Sequence, residues 1–179
     1  MELEHKFCKL GETLELAEGV LVEGYASVFG KCDQGGDVVQ PGAYAASLKA
    51  LNAKGGTVKM LWQHNPAEPI GVWDTVHEDA RGLYVKGRIL ADVEKGREAI
   101  ALIEAGAIDG LSIGYRTVKA TKDDKGRRLL SELELWEVSL VTFPMLPDAR
   151  VLAKGDSSLD HDMRDLTDAL NHARALLVG

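Results

Sequence analysis

The chain has 179 residues, 45% of them hydrophobic and 27% charged, with a net charge of −7. This is enough for one soluble globular domain with a buried core and a short extension. The acidic balance argues against nucleic acid as a partner, because that affinity rests on Lys and Arg neutralising phosphates, and no apolar run approaches the roughly 20 residues of a membrane helix.

The opening stretch, MELEHKFCKL, lacks the apolar centre of a signal peptide. Cys8 and Cys32 have no metal-ligand spacing and read as reduced thiols in a cytosolic setting, Cys8 as a small core residue. Residues 20–29, VLVEGYASVF, are β-branched and aromatic and predict a strand. GKCDQGG, residues 30–36, reads as a loop. Pro41 and the glycines at 55 and 56 frame a helix in which Tyr44, Leu48 and Leu51 recur on one face.

TVKMLWQ, residues 57–63, predicts a buried strand that delivers His64 at its end, followed by a turn at NPAEP. Residues 70–77 and 83–90 predict two strands joined as a hairpin through EDARG. Residues 92–105 predict an amphipathic helix with Asp92 as its N-cap and Gly106 as its stop. Two more strands follow at 111–120 and 127–141, joined by the polar turn TKDDKG.

From Leu152 the character changes. AKGDSS reads as a linker, and residues 159–178 predict a helix with Leu166, Leu170, Ala173 and Leu177 on one stripe. Residues 1–151 therefore read as the domain, and 152–179 as a linker and helical tail that docks, binds a partner or is removed by processing. Many strands with two interspersed helices predict an α+β fold, mainly β and barrel-like rather than doubly wound.

Residues 110–114, GLSIG, fit the G-x-S-x-G pattern of a nucleophilic serine on a tight turn. In hydrolases that use this elbow a helix follows the serine, and the acid and histidine come after it in the chain. Here the helix precedes Ser112 and a strand follows it. The only later histidines, His161 and His172, stand in the polar tail, so the elbow reading fails.

Another arrangement survives. His64 ends an apolar strand, and imidazole is the side chain best suited to accept a serine proton near neutral pH. Glu137 is the sole charge in LWEVSLVTF, residues 135–143. Burying an unpartnered carboxylate there would be costly, and alternation puts it on the face of Leu133, Leu135 and Val141. Each residue also has a plainer reading. Ser112 fits as a small residue in a Gly-bracketed bend, His64 as a strand-end histidine bonded to NPAEP, and Glu137 as the partner of a structural arginine. Together they supply the nucleophile, base and orienting acid that acyl transfer needs. A two-carboxylate glycosidase finds no acid pair in apolar context.

GYASVFG, GDVVQPGAY, MLWQHNPAEPIG, GLSIGY and ELWEVSLVTFPMLPDA stand in this order between residues 20 and 151. With them the sequence resembles the prohead maturation proteases of tailed bacteriophages, distant relatives of the herpesvirus assemblins. The resemblance implies an assemblin-like β-barrel with surrounding helices, with Ser112 as nucleophile and His64 as general base. Glu137 matches the acidic position of the phage enzymes. The herpesvirus relatives use a second histidine there, for which His77 in TVHED is the competing candidate.

The resemblance further implies a serine endopeptidase without cofactor or metal, acting inside the assembling prohead in the host cytoplasm or in a lysogenic bacterium. Its partners would be the scaffolding protein, the major capsid protein or its scaffolding segment, and the chain itself, through autocleavage or as a homo-oligomer. Neither nucleic acid nor membrane is among them. The alternative is a non-catalytic domain of the same fold that binds capsid or scaffold during assembly.

Overall fold

A computed structural model describes residues 19–151; the expected linker, tail helix and Cys8 lie outside them. In chain order the elements are β1 (Val20–Val28), β2 (Asp37–Val39), α1 (Ala45–Ala53), β3 (Lys59–Trp62), β4 (Asn65–Glu78), β5 (Gly82–Ile89), α2 (Glu94–Glu104), β6 (Gly110–Lys122) and β7 (Arg128–Val141). The fold is mainly β with two helices, as expected.

All seven strands join one sheet in the order β1-β5-β4-β3-β7-β2, with β6 on the opposite edge of β7. β1, β5 and β4 pair antiparallel side by side. The β4–β5 hairpin turns where Asp79 Oδ1 accepts the amides of Arg81 and Gly82. β3 runs parallel to β7, with Met60 beside Val138 and Trp62 beside Leu140. β6 runs antiparallel to β7 along its length. The sheet curls until its ends approach: Val151 bridges to Gly24 of β1, and Arg150 to Gly110 of β6. The amide of Leu111 donates to Ala149 O at 2.9 Å at this seam.

The core fills the inside of the curl with fully buried Tyr44, Met60, Ile70, Leu83, Ile89 and Leu133, among others. Helix α1 turns Ser47 and Leu48 toward β7, and Ser47 Oγ accepts the Leu135 amide at 2.9 Å. Helix α2 packs Gly96 and Ala99 inward. It stops as expected at Gly106, whose φ is +69°. There the amides of Gly106 and Ala107 donate to Ile103 O and Leu102 O, a Schellman closure that left-handed glycine permits.

Three local expectations change. The chain does not turn at NPAEP, because β4 already begins at Asn65. The reversal comes at Gln63 and His64, both with positive φ (50° and 62°), between the paired residues Trp62 and Asn65. A two-residue hairpin connection of this kind matches sheet twist, and Pro66 and Pro69 are tolerated in a strand whose register shifts beside them. Asp92 is not the cap of α2. Val93 holds that position in extended conformation without a side-chain cap, and Glu94 supplies the acidic first turn instead. Finally, the loop at 30–36 leads into β2, a three-residue strand parallel to the start of β7.

An ion pair fastens β2 to β7. Arg128 donates to both carboxylate oxygens of Asp37, at 2.7 and 2.6 Å, and Tyr115 OH donates at 3.2 Å. The Arg128 hydrogen bonds hold the Asp37 carboxyl below its ordinary range, against burial that pushes the other way. A carboxyl with a depressed folded pKa adds stability above its unfolded value, about 3.9, and loses it as pH falls through the folded one. Asp37→Asn should therefore melt below wild type at pH 7, with the gap closing as pH drops below about 4. Thermal melts between pH 7 and pH 3 check this, and a gap of constant size would refute it.

Candidate active site

Three adjacent strands bring the candidate residues together. On the β6–β7 ladder Ser112 stands opposite Ser139, and Gly114 opposite Glu137. Side chains of directly opposed residues project from the same face, and residues two apart on a strand share a face. Ser112, Ser139 and Glu137 therefore occupy one side of the sheet. β3, on the other edge of β7, ends at Trp62 beside Leu140. The reversal at Gln63 and His64 then folds His64 back over β7. The turn is held by Gln63 N–H to Leu140 O at 3.0 Å and by Gln63 Nε2 to Thr142 Oγ1 at 2.8 Å.

His64 Nδ1 lies 2.6 Å from Glu137 Oε1. Glu137 Oε2 accepts the hydroxyl of Ser139 at 2.5 Å, and Ser139 Oγ accepts the backbone N–H of His64 at 3.0 Å. The carboxylate is buried at 8% exposure, yet both its oxygens are partnered, which makes its burial tolerable. An ionised Glu137 can only accept, so Nδ1 carries the proton and Nε2 is left with a free lone pair. The imidazole side chain is 43% exposed, open to an incoming group.

Gly114 makes room for the acid. A Cβ there would stand 2.0 Å from Glu137 Oε1 and 2.7 Å from Cδ. The second glycine of GLSIG thus serves the carboxylate across the ladder rather than a nucleophile elbow.

Ser112 is buried at 7% exposure and lines a cavity of about 130 Å³ with Val28, Lys31, Asp33, Ile113 and Met145. Asp37 and Tyr115 also face it. Asp37 is held ionised by Arg128, and burial pushes the Tyr115 phenol up to about 12, so it stays neutral. No hydrogen bond joins Ser112 Oγ to His64 among the described residues. Catalytic hydrogen bonds of this kind often close only around a substrate.

The structure thus gathers His64 and Glu137 into contact and sets Ser112 on the same face. His77 is elsewhere. It stands exposed at the far end of β4, opposite Tyr84, with the two rings 5.3 Å apart. Ser139 was not singled out from the sequence. Its signal was available, since it is the second polar residue of LWEVSLVTF and lies two positions from Glu137. Among the described residues no group of three or more His, Cys, Asp or Glu side chains converges to hold a metal ion.

Comparison with known proteins bears on this geometry. The family model for caudovirus prohead serine proteases matches residues 10–163. The prohead protease of Enterobacteria phage HK97 is 32% identical over 162 residues, covering 87% of this chain and 69% of that protein. The prohead protease of Escherichia phage T5 is 31% identical over 151 residues, covering 82% of this chain and 70% of that protein. Among solved structures, the bacteriophage T4 capsid assembly protease, gp21, superposes with a TM-score of 0.58 at 17% identity, over 69% of this chain and 81% of that one. That likeness speaks for the fold, and the mainly β, barrel-like architecture expected from the sequence is observed as one curled sheet with two helices. With a family match across most of its length and two relatives above 30% identity, the chain belongs to the caudovirus prohead serine proteases.

Proposed function

We propose that the chain is an active serine endopeptidase of prohead maturation, with Ser112 as nucleophile, His64 as general base and Glu137 as orienting acid. The observation that supports this most is the 2.6 Å contact of His64 Nδ1 with a buried carboxylate, on the strand directly paired with that of Ser112. As Ser112 Oγ attacks a scissile carbonyl carbon, its proton passes to His64 Nε2. The imidazolium, stabilised by Glu137, then protonates the departing amine, and water repeats the sequence on the acyl-enzyme. Reacting groups held on either side of β7, Ser112 on β6 and His64 in the turn after β3, meet with little further ordering.

The substrates we propose are the scaffolding protein or the scaffolding segment of the major capsid protein, together with the chain's own tail. The setting is the inside of the assembling prohead. Confinement raises the enzyme's effective concentration against those chains, so modest intrinsic activity suffices. Among the described residues no helix is long and apolar enough to cross a membrane.

Co-expression with the neighbouring capsid gene, read by intact mass, tests the proposal. Wild type should trim capsid or scaffold and its own chain between Leu152 and Leu159, a stretch whose small polar composition is that of segments proteases cut. Ser112→Ala should leave every product full length. Equal trimming by the variant would dismiss Ser112 as nucleophile. Intact products in both would favour a capsid-binding domain without activity.

The third member is tested by amide substitution. Glu137→Gln keeps size but removes charge, and turnover should fall roughly 10³- to 10⁴-fold, as when a triad carboxylate is neutralised. His77→Gln should be nearly silent, given its exposed place on β4. The reverse ranking would favour a Ser-His-His arrangement.

Gly114→Ala supplies an independent check, because the added methyl must displace Glu137 from its place beside His64. Turnover should drop at least roughly 10-fold, the scale of a displaced catalytic group, with far-UV circular dichroism unchanged. Full activity in this variant would show that the carboxylate position is immaterial.

A further inference from the structure

Ser139 is fully buried, with 0% exposure, and among the described residues its side chain hydrogen-bonds to both halves of the His64–Glu137 pair. A backbone N–H can only donate, so the 3.0 Å bond from His64 N to Ser139 Oγ uses a lone pair of the hydroxyl. The single hydroxyl proton is then left for Glu137 Oε2, 2.5 Å away, a charge-assisted distance. The polarity of the chain of bonds follows without any hydrogen being observed. Donation runs from the His64 amide through Ser139 to Glu137 Oε2, and from the His64 ring, through Nδ1–H, to Oε1.

That closed circuit has two effects. It pins the backbone of His64, a non-glycine residue held at φ +62°, a conformation that needs outside support. It also occupies Oε2, so that Oε1 is the oxygen presented to Nδ1. β7 supplies the rigidity, because Ser139 is paired on one side to Leu61 of β3 and on the other to Ser112 of β6.

We infer that Ser139 is a positioning residue that fixes both the imidazole and the acid, acting on Ser112 chemistry only through them. The inference rests on the proposed roles of His64 and Glu137.

The test measures the rate at which a fluorophosphonate labels Ser112 in the full chain, alongside the downfield proton resonance of His64 Nδ1–H. Ser139→Ala should slow labelling roughly 10- to 100-fold, the scale of a buried partner lost, with little change in apparent probe affinity. Ser139→Cys keeps the shape with a weak donor and should behave like the alanine variant. In both, the Nδ1 proton signal should move upfield or broaden into solvent exchange. In a Glu137→Gln background Ser139→Ala should slow labelling by less than about 2-fold, since residues acting through one another do not add.

Wild-type labelling in Ser139→Cys, an unmoved Nδ1 resonance in Ser139→Ala, or effects that multiply in the double variant would each overturn the inference. Glu137→Gln labelling at the wild-type rate would instead remove the acid role itself, a separate failure.

Discussion

One carboxylate sets the terms for the rest of this molecule. Glu137 begins the continuously buried run that ends β7, where an ionised group persists only if each oxygen is met by a donor. Those donors cannot come from β7's own backbone, which is committed to β3 and β6 on either side. They come from Ser139, two residues along the same face, and from His64, delivered by the end of β3. The demand explains several otherwise unrelated features. β3 runs parallel to β7 so that its end arrives beside Leu140, the chain reverses within two residues, and a glycine faces the acid across the ladder.

The reversal carries a cost. Two consecutive non-glycine residues with positive φ store strain on the order of 1–3 kcal/mol each. The Gln63 amide donates to Leu140 O, the Gln63 side chain donates to Thr142 Oγ1 and accepts the Thr142 amide, and the His64 amide donates to Ser139 Oγ, all on or just after β7. The strain is therefore opposed by the strand that carries the acid. The geometry of the site and the stability of the turn depend on the same contacts, so a change on β7 is felt in the position of the imidazole.

Much of this was legible before the structure. Apolar, β-branched runs between turn residues marked β1, β3, β5, β6, β7 and most of β4, and the lone charge in LWEVSLVTF pointed to a carboxylate in need of a partner. The ordered motifs marked the family. What sequence rules missed has physical causes. Two prolines in NPAEP outweighed the neighbouring Gln-His pair as a turn signal, because the positive φ at 63 and 64 is imposed by tertiary contacts and not by turn-forming residues. β2 is too short to show a period. Asp92 has the chemistry of a cap but stands one position early, since the chain is still completing a turn back to Leu90. Ser139 looked like filler among apolar residues, and its role depends on a histidine amide seventy-five positions away in sequence.

The seam at residues 149–151 has a kinetic meaning. It joins β1 to β6 only after β7 and the loop beyond it have been made, and the contacts that build the site span 73 and 75 residues. Such non-local pairing pays its loop-closure entropy before it gains stability, which places folding of mainly β topologies in the range of roughly milliseconds to seconds. An emerging ribosome-bound chain would carry Ser112 well before it carried Glu137 or Ser139. The order of the strands along the chain thus acts as a delay: the imidazole has neither its acid nor its backbone anchor until the last strand has docked.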